Sequence, residues 1–246
     1  MSAKDGTGEM MGQEFSLPAI TAAAHELKAP LALIRQLSLV LQEGGTTPTE
    51  QQELLNRITL TSERSLRLVG LLTKHARLED ALFQLEPVNV AHVCQQVSHE
   101  LLPLAKAGNR HIALHLKGKQ PPIAVANSEL LRAVILGLCD NSLAYAQTRA
   151  PLELKVHKSH ESIRIAVRDH GTGMPADVFK KLASRLGKSA QPVAGRPQSS
   201  GLGLYVASKF AAAMRGSLGV QRHQRGGVTF YVDMPASKQL SLLAYE

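Results

Sequence analysis

Tryptophan is missing from the 246 residues, and aromatic residues of all kinds make up only 4%. Any core must therefore be built mainly from Leu, Ile, Val and Ala, and the aromatic-rich signature of a nucleic-acid binder is absent. Cysteine occurs twice, at Cys94 and Cys139, each in apolar, helix-like surroundings with no C-x-x-C partner. That usage points to reduced, buried thiols in the cytosol. No run approaches the roughly 18 uncharged apolar residues of a membrane-spanning helix. Met1 to Gly12 has no apolar run behind a basic start, so no secretory signal is expected. Acidic residues are absent from 178 to 232, where Lys180, Lys181, Arg185, Lys188, Arg196, Lys209, Arg215, Arg222 and Arg225 are all basic. Much of the net charge of +8 is thus concentrated in one stretch that attracts polyanions. A nucleotide or an acidic protein is the favoured partner, nucleic acid is not, and a plain solvated basic face is the bland alternative.

What is present reads as a soluble chain of two parts, with 44% hydrophobic and 20% charged residues. Residues 1–14 read as a disordered tail. From 15 to 43 the pattern is helical, with Ile20, Ala24, Leu27, Leu31, Ile34, Ser38 and Leu41 on an a/d seam. Gly44-Gly45 stops that helix, and Thr47-Pro48-Thr49-Glu50 starts another with an N-cap Thr, Pro at the first position and a capping-box Glu. The second helix is expected to reach about residue 82, with Leu55, Ile58, Val69, Leu72 and Ala76 on one face. A lone hairpin over 15–84 leaves half its apolar stripe wet, so a homodimeric four-helix bundle is expected. After that the texture changes. Strands are expected at 83–88, 112–116, 152–156, 163–167 and 228–232, and helices at 90–105, 128–145 behind an Asn127 N-cap, and 204–214. Without a strict βαβ rhythm, residues 85–237 read as an α+β, α/β-sandwich domain, followed by a tail over 238–246. The Gly-, Pro- and Ser-rich stretch 184–200 reads as a long mobile loop.

Four segments carry chemistry. In His25-Glu26-Leu27-Lys28-Ala29-Pro30-Leu31, the His falls away from the seam and faces solvent, and Glu26 can polarise one ring nitrogen to make the other a better nucleophile. A zinc H-E-x-x-H site is excluded because position 29 is Ala; a surface His beside a surface Glu is not. Asp140-Asn141, with Tyr145 one turn on, offers a hard amide oxygen suited to Mg²⁺, or is an ordinary helical Asn. Asp169-His170-Gly171-Thr172-Gly173 follows a strand. Its carboxylate can accept from an exocyclic amine and its glycines let backbone approach a flat ring, or it is a strand-ending turn. Gly201-Leu202-Gly203-Leu204 opens a helix where backbone N–H groups form an anion site.

In order and spacing these segments resemble the sensor histidine kinases of two-component systems, whose nucleotide domain belongs to the wider GHKL ATPase group. His25 to Leu31 looks like the H box, Asp140-Asn141 through Tyr145 the N box, Asp169 to Gly173 the G1 box and Gly201 to Leu204 the G2 box. Gly227-Val228-Thr229-Phe230 resembles the closing G-x-T-F strand, and Phe179 is a faint F-box match. The resemblance implies a cytoplasmic kinase that autophosphorylates on His25 with Glu26 as base. It implies ATP and Mg²⁺, the metal on Asn141, and a nucleotide site formed by Asn141, Tyr145, Asp169, Gly171, Gly173, Lys188, Gly201, Leu202, Gly203, Leu204 and Thr229. The implied partners are a response regulator receiver domain and a second copy of the chain. With no sensor domain or membrane span evident in the sequence, either a separate sensor protein drives the kinase or the chain is a piece of something longer. Three positions depart from the pattern: Gly137 and Ala144 replace the usual first Asn and the phosphate-contacting Lys of the N box, and Ala29 replaces the Thr or Asn four residues after the His. The first two favour the alternative of a pseudokinase scaffold, and Ala29 implies poor dephosphorylation of the regulator.

Overall fold

Leu17–Glu43 form one helix, α1, which runs on through Pro30. The computed structural model describes residues 17–76, 83–118, 120–145, 148–159, 161–186, 188 and 202–238. The turn falls at Gly44 and Gly45, both with positive φ. The second helix, α2 (Pro48–Ala76), begins with the expected capping box: Thr47 N donates to Glu50 Oε2 at 2.7 Å and Glu50 N donates to Thr47 Oγ1 at 3.3 Å. These reciprocal bonds satisfy N–H groups that the first turn leaves orphaned. The expected extension to about residue 82 lies outside the described residues, as does the tail over 1–14. Within one chain only part of the seam is covered. Leu37 is buried, while Leu31 is 58% exposed, and Leu55 and Val69 of the second face are exposed as well.

The sandwich is built on a five-stranded sheet in the order β2-β4-β5-β7-β6, comprising β2 (Ile112–Lys117), β4 (Leu152–Lys158), β5 (Ser162–Arg168), β7 (Val228–Pro235) and β6 (Ser217–Arg222). Only β2 and β4 run parallel. A two-stranded antiparallel sheet, β1 (Glu86–Asn89) with β3 (Ile123–Ala126), joins it through the Ala124–Ala236 bridge. Alternation sends Leu152, Leu154, Val156, Ile163, Ile165, Val167, Phe230 and Val232 to one face, all buried. That face is covered by α3 (Val90–Glu100), α5 (Ser128–Tyr145) and α7 (Leu202–Ala213). Asn127 caps α5 as expected, its Oδ1 accepting from Leu130 N at 3.1 Å. Cys94 and Cys139 are buried and unpaired, and burial pushes the Cys94 thiol up to about 12 and Cys139 well above its usual value.

Several element boundaries differ from expectation. The helix at 90–105 is two, α3 and α4 (Leu102–Ala107), because Pro103 has no N–H to continue the ladder and its ring clashes with the preceding turn. The strand at 83–88 is β1, shifted to 86–89, since it extends only as far as its four-residue partner β3. Its last residue, Asn89, then caps α3 by accepting from Ala91 N and His92 N. The helix at 204–214 begins at Leu202, whose side chain is fully buried, and ends at Ala213. Ser184 and Arg185 belong to α6 (Ala176–Arg185) rather than to the long loop, and 189–200 lie outside the described residues. Strands β3 and β6 were not expected. The first is four residues long, and the second carries Gly219, over which the Tyr231 ring lies.

Candidate functional site

The loop after β5 meets the β6–β7 hairpin edge to edge, and the contact is made by backbone. Asp169 N donates to Val228 O at 3.0 Å. Its Oδ1 accepts from Gly171 N at 3.1 Å and from Val228 N at 3.3 Å. Two N–H donors on one oxygen fix the carboxylate of a residue only 8% exposed, and Oδ2 has no protein donor among the described residues. That oxygen is the atom left for an incoming donor. The close approach depends on glycine. Gly173 has φ +85° and lies against the Gly226–Gly227 backbone, while at Gly227, φ +79°, a Cβ would collide with the Asp169 carbonyl. Gly171 is buried in the same contact. Thr229, buried on β7, has its Oγ1 2.7 Å from His223 Nε2. Burial first, and then the charge of Arg168, hold the His223 imidazole below its ordinary pKa.

Two of the candidate residues, Asn141 and Tyr145, lie at the C-terminal end of α5. Asn141 is half-buried and Ala144 exposed, while the Tyr145 side chain is outside the described residues. A buried arginine ties this end down: Arg110 Nε donates to Ala150 O at 3.1 Å and Nη1 to Ser142 O at 3.4 Å. Desolvation lowers its pKa and the negative charge of Asp169 opposes that, so the guanidinium is electrostatically coupled to the site carboxylate. A cation at a helix C-terminus also complements the helix dipole. Nothing in the motif spacing singled out Arg110 or His223. Arg110 acts through partners 32 and 40 residues away and His223 across the β6–β7 turn, and a lone Arg or His before or after a strand carries no local signal. Nearby, His170 Nε2 lies 3.3 Å from Glu153 Oε1, and Glu153 also pairs with Lys155. Burial raises the Glu153 pKa, but these two partners outweigh it and hold the carboxyl low.

At the start of α7, Leu202 is buried, Leu204 is half-buried and Gly203 faces open space; Gly201 lies outside the described residues. Lys188 is exposed just after α6, its N–H donating to Arg185 O. His25 lies on α1 and its side chain is outside the described residues, while the neighbouring Glu26 is half-buried. The described residues contain no cluster of three metal-ligating His, Cys, Asp or Glu side chains. A divalent ion here would have one hard protein oxygen, from Asn141, with water or phosphate completing the shell, the donor set that suits Mg²⁺.

Residues 126–238 match the family of histidine kinase-, DNA gyrase B- and HSP90-like ATPases, HATPase_c. This part of the chain is a domain of that family. Beyond the domain, the chain is homologous to sensor histidine kinases. It is 28% identical over 221 residues to the sensor protein CreC of Escherichia coli, an alignment that covers 89% of this chain and 45% of CreC. Sensor protein kinase PmrB of Pseudomonas aeruginosa is likewise 28% identical, over 88% of this chain and 45% of PmrB. The chain therefore spans less than half the length of these relatives. Among solved structures, full-length ShkA in complex with AMPPNP matches 92% of the chain and 47% of its own, with a TM-score of 0.60 at 20% identity. Histidine kinase ThkA in complex with response regulator protein TrrA matches 89% of the chain and 61% of its own, with the same score at 15% identity. In the HATPase_c domain, Asp169, Gly171, Gly173 and Thr229 fall in one neighbourhood through Gly227. No helix of the described residues is long and apolar enough to cross a membrane.

Proposed function

We propose that the chain is an ATP-dependent protein-histidine kinase that autophosphorylates on His25 and passes the phosphoryl group to an aspartate of a response regulator. The observation that carries this reading is the fixed Asp169 carboxylate, whose Oδ2 is left to accept from the adenine amine beside a glycine-lined approach. In this scheme Asp169, Gly171, Gly173 and Thr229 seat the base. Gly201, Leu202, Gly203 and Leu204 present the start of α7 to the phosphates, and Lys188 and its basic neighbours balance their charge. Asn141 would hold Mg²⁺, which would neutralise charge on the triphosphate, and Tyr145 belongs to the same nucleotide site. Glu26 accepts a proton from one ring nitrogen of His25. The other attacks the terminal phosphorus, so that a P–N bond forms as the bond to ADP breaks. Such transfer is mostly positioning and charge neutralisation, which this set of residues supplies. The printed names of CreC, PmrB, ShkA and ThkA, all sensors or histidine kinases, support the same reading, and the TrrA complex supports a receiver domain as partner. The exposed apolar side chains of α1 and α2, Leu31 and Leu66 foremost, support a homodimeric four-helix bundle. A cytoplasmic site of action is part of the same reading.

A second reading, a pseudokinase scaffold, rests on Ala144 and Gly137. An exposed methyl stands where a phosphate-contacting Lys is usual, and a Cβ at Gly137 would meet nothing within 4 Å, so no steric demand accounts for glycine there. One experiment separates the two. Incubation with γ-labelled ATP and Mg²⁺ should give acid-labile, base-stable label that His25→Gln abolishes, with nucleotide binding retained. Nucleotide binding without label in the unaltered chain would establish the scaffold instead, and label surviving His25→Gln would refute the assignment of the acceptor.

A further inference from the structure

The hairpin is docked on the HATPase_c domain of its own chain by a contact that no motif anticipates. Arg67 of α2 meets Asp140 of α5 in a two-pronged pair: Nε donates to Oδ2 at 3.0 Å and Nη2 to Oδ1 at 3.1 Å. The two side chains are only 16% and 14% exposed. Glu63, one turn back on α2, stands 3.9 Å from the same guanidinium. Two turns further along α2, Lys74 Nζ lies 3.1 Å from Glu129 Oε2 near the start of α5, so the two helices run antiparallel. Leu68, Leu71 and Leu72 pack on the sandwich core between these pairs, and the His75 ring lies 6.0 Å from that of Tyr205 on α7. On α1, Ala23 packs on the same core, two residues before His25.

We infer that Arg67 is a positioning residue for phosphoryl transfer. On this reading its grip on Asp140 docks the nucleotide domain in the orientation from which the label reaches the hairpin. The inference rests on the kinase reading above. Asp140 and Asn141 are consecutive on α5 and so point about 100° apart. When the first is clamped to the hairpin, the second is turned toward another face at a fixed azimuth. Two parallel charge-assisted bonds fix rotation as well as distance, which a single bond or an apolar contact does not. The docked arrangement also seats Ala23, two residues before His25, against the sandwich core, with α1 in contact with α7. Orientation, rather than stability, is what a largely buried ion pair supplies best.

The test compares Arg67→Gln and Arg67→Lys with the unaltered full chain. Under saturating Mg-ATP, Arg67→Gln should lower the autophosphorylation rate roughly tenfold, as expected for a modest misplacement of reacting groups. The KM for ATP should stay unchanged. Arg67→Lys, which keeps charge and stem but not the fork, should fall between. Hydrogen exchange over residues 64–76 should speed up in Arg67→Gln while exchange over β5 and β7 stays the same, which also reports that the domain remains folded. An unchanged rate in both variants would overturn the inference, and a raised rate would make the contact an autoinhibitory clamp instead. Should the unaltered chain acquire no label, the kinase reading fails. The docking contact would then be judged by exchange alone, and equal exchange in the variant and the unaltered chain would overturn that too.

Discussion

The hairpin and the sandwich place their apolar residues differently, although both are assembled from Leu, Ile, Val and Ala. In the sandwich, α3, α5 and α7 close over the sheet, and side chains such as Leu154, Ile165, Val167, Leu138 and Phe210 are fully buried. Among the described residues of the hairpin, Leu37 is the one buried hydrophobic side chain, while Leu31, Leu39, Val40, Leu55, Leu66 and Val69 are exposed. Part of the α2 stripe is satisfied by the sandwich through Leu68, Leu71 and Leu72. The sandwich therefore holds its own folding free energy, whereas the hairpin depends on surfaces outside itself. That fits the division of labour proposed here: a firm nucleotide site, and an acceptor helix whose surroundings other contacts complete.

The sharpest way to break this comparison is to truncate one leucine on each side. Leu154→Ala should destabilise the chain by about 2–5 kcal/mol in chemical denaturation. Leu66→Ala, at a position 70% exposed, should shift the same curve by less than about 0.5 kcal/mol. It should instead weaken self-association in sedimentation experiments; equal losses of stability would show that the hairpin is not the dependent part. Next in size, Ala144→Lys should tighten Mg-ATP binding roughly ten- to hundredfold in titration calorimetry, because a bond to a charged group contributes about 1.5–3 kcal/mol. No gain would mean that a lid cation such as Lys188 already fills the role. Smaller again is Ser142→Ala. The Ser142 hydroxyl is buried without a partner among the described residues, so its removal should raise stability by about 1 kcal/mol in thermal melts; a loss would reveal a bound water as its partner.

The smallest effect concerns His223. Its pKa in the fold lies below the ordinary value of about 6.5, so the folded chain binds fewer protons there than the unfolded chain does. Its contribution to stability is therefore complete above about pH 6.5 and lost as pH falls toward the lower folded value. His223→Gln should flatten melting temperature against pH between about 7 and 5. An unchanged profile would assign the acid sensitivity to other groups.

Much of the fold was legible because its signals are local. A capping box is read from residues three apart, and its bonds at Thr47 and Glu50 are present. Alternation marked β2, β4, β5 and β7 to within three residues at every end, because each strand buries one face. It missed β6, where Gly219 takes the place of a side chain to admit the Tyr231 ring, and it misplaced β1, whose length is set by its partner. The G1 segment could be singled out from its Asp and glycines. That Asp169 Oδ1 would be occupied by two backbone donors could not, since one of them, Val228 N, comes from a strand 59 residues away.

By itself the sequence determined the helical hairpin, the change to an α+β texture and the order of the four motifs. These follow from periodicities of 3.6 and 2 residues and from the backbone freedom of glycine, all of which act within a few positions of the chain. Only the tertiary structure decided that Arg67 would find Asp140, 73 residues away, and that Arg110 would brace the end of α5 at Ser142, 32 residues away. A charged side chain in a helix or before a strand has many solvated alternatives. Which partner it meets is settled when the apolar faces beneath it pack and exclude water from both.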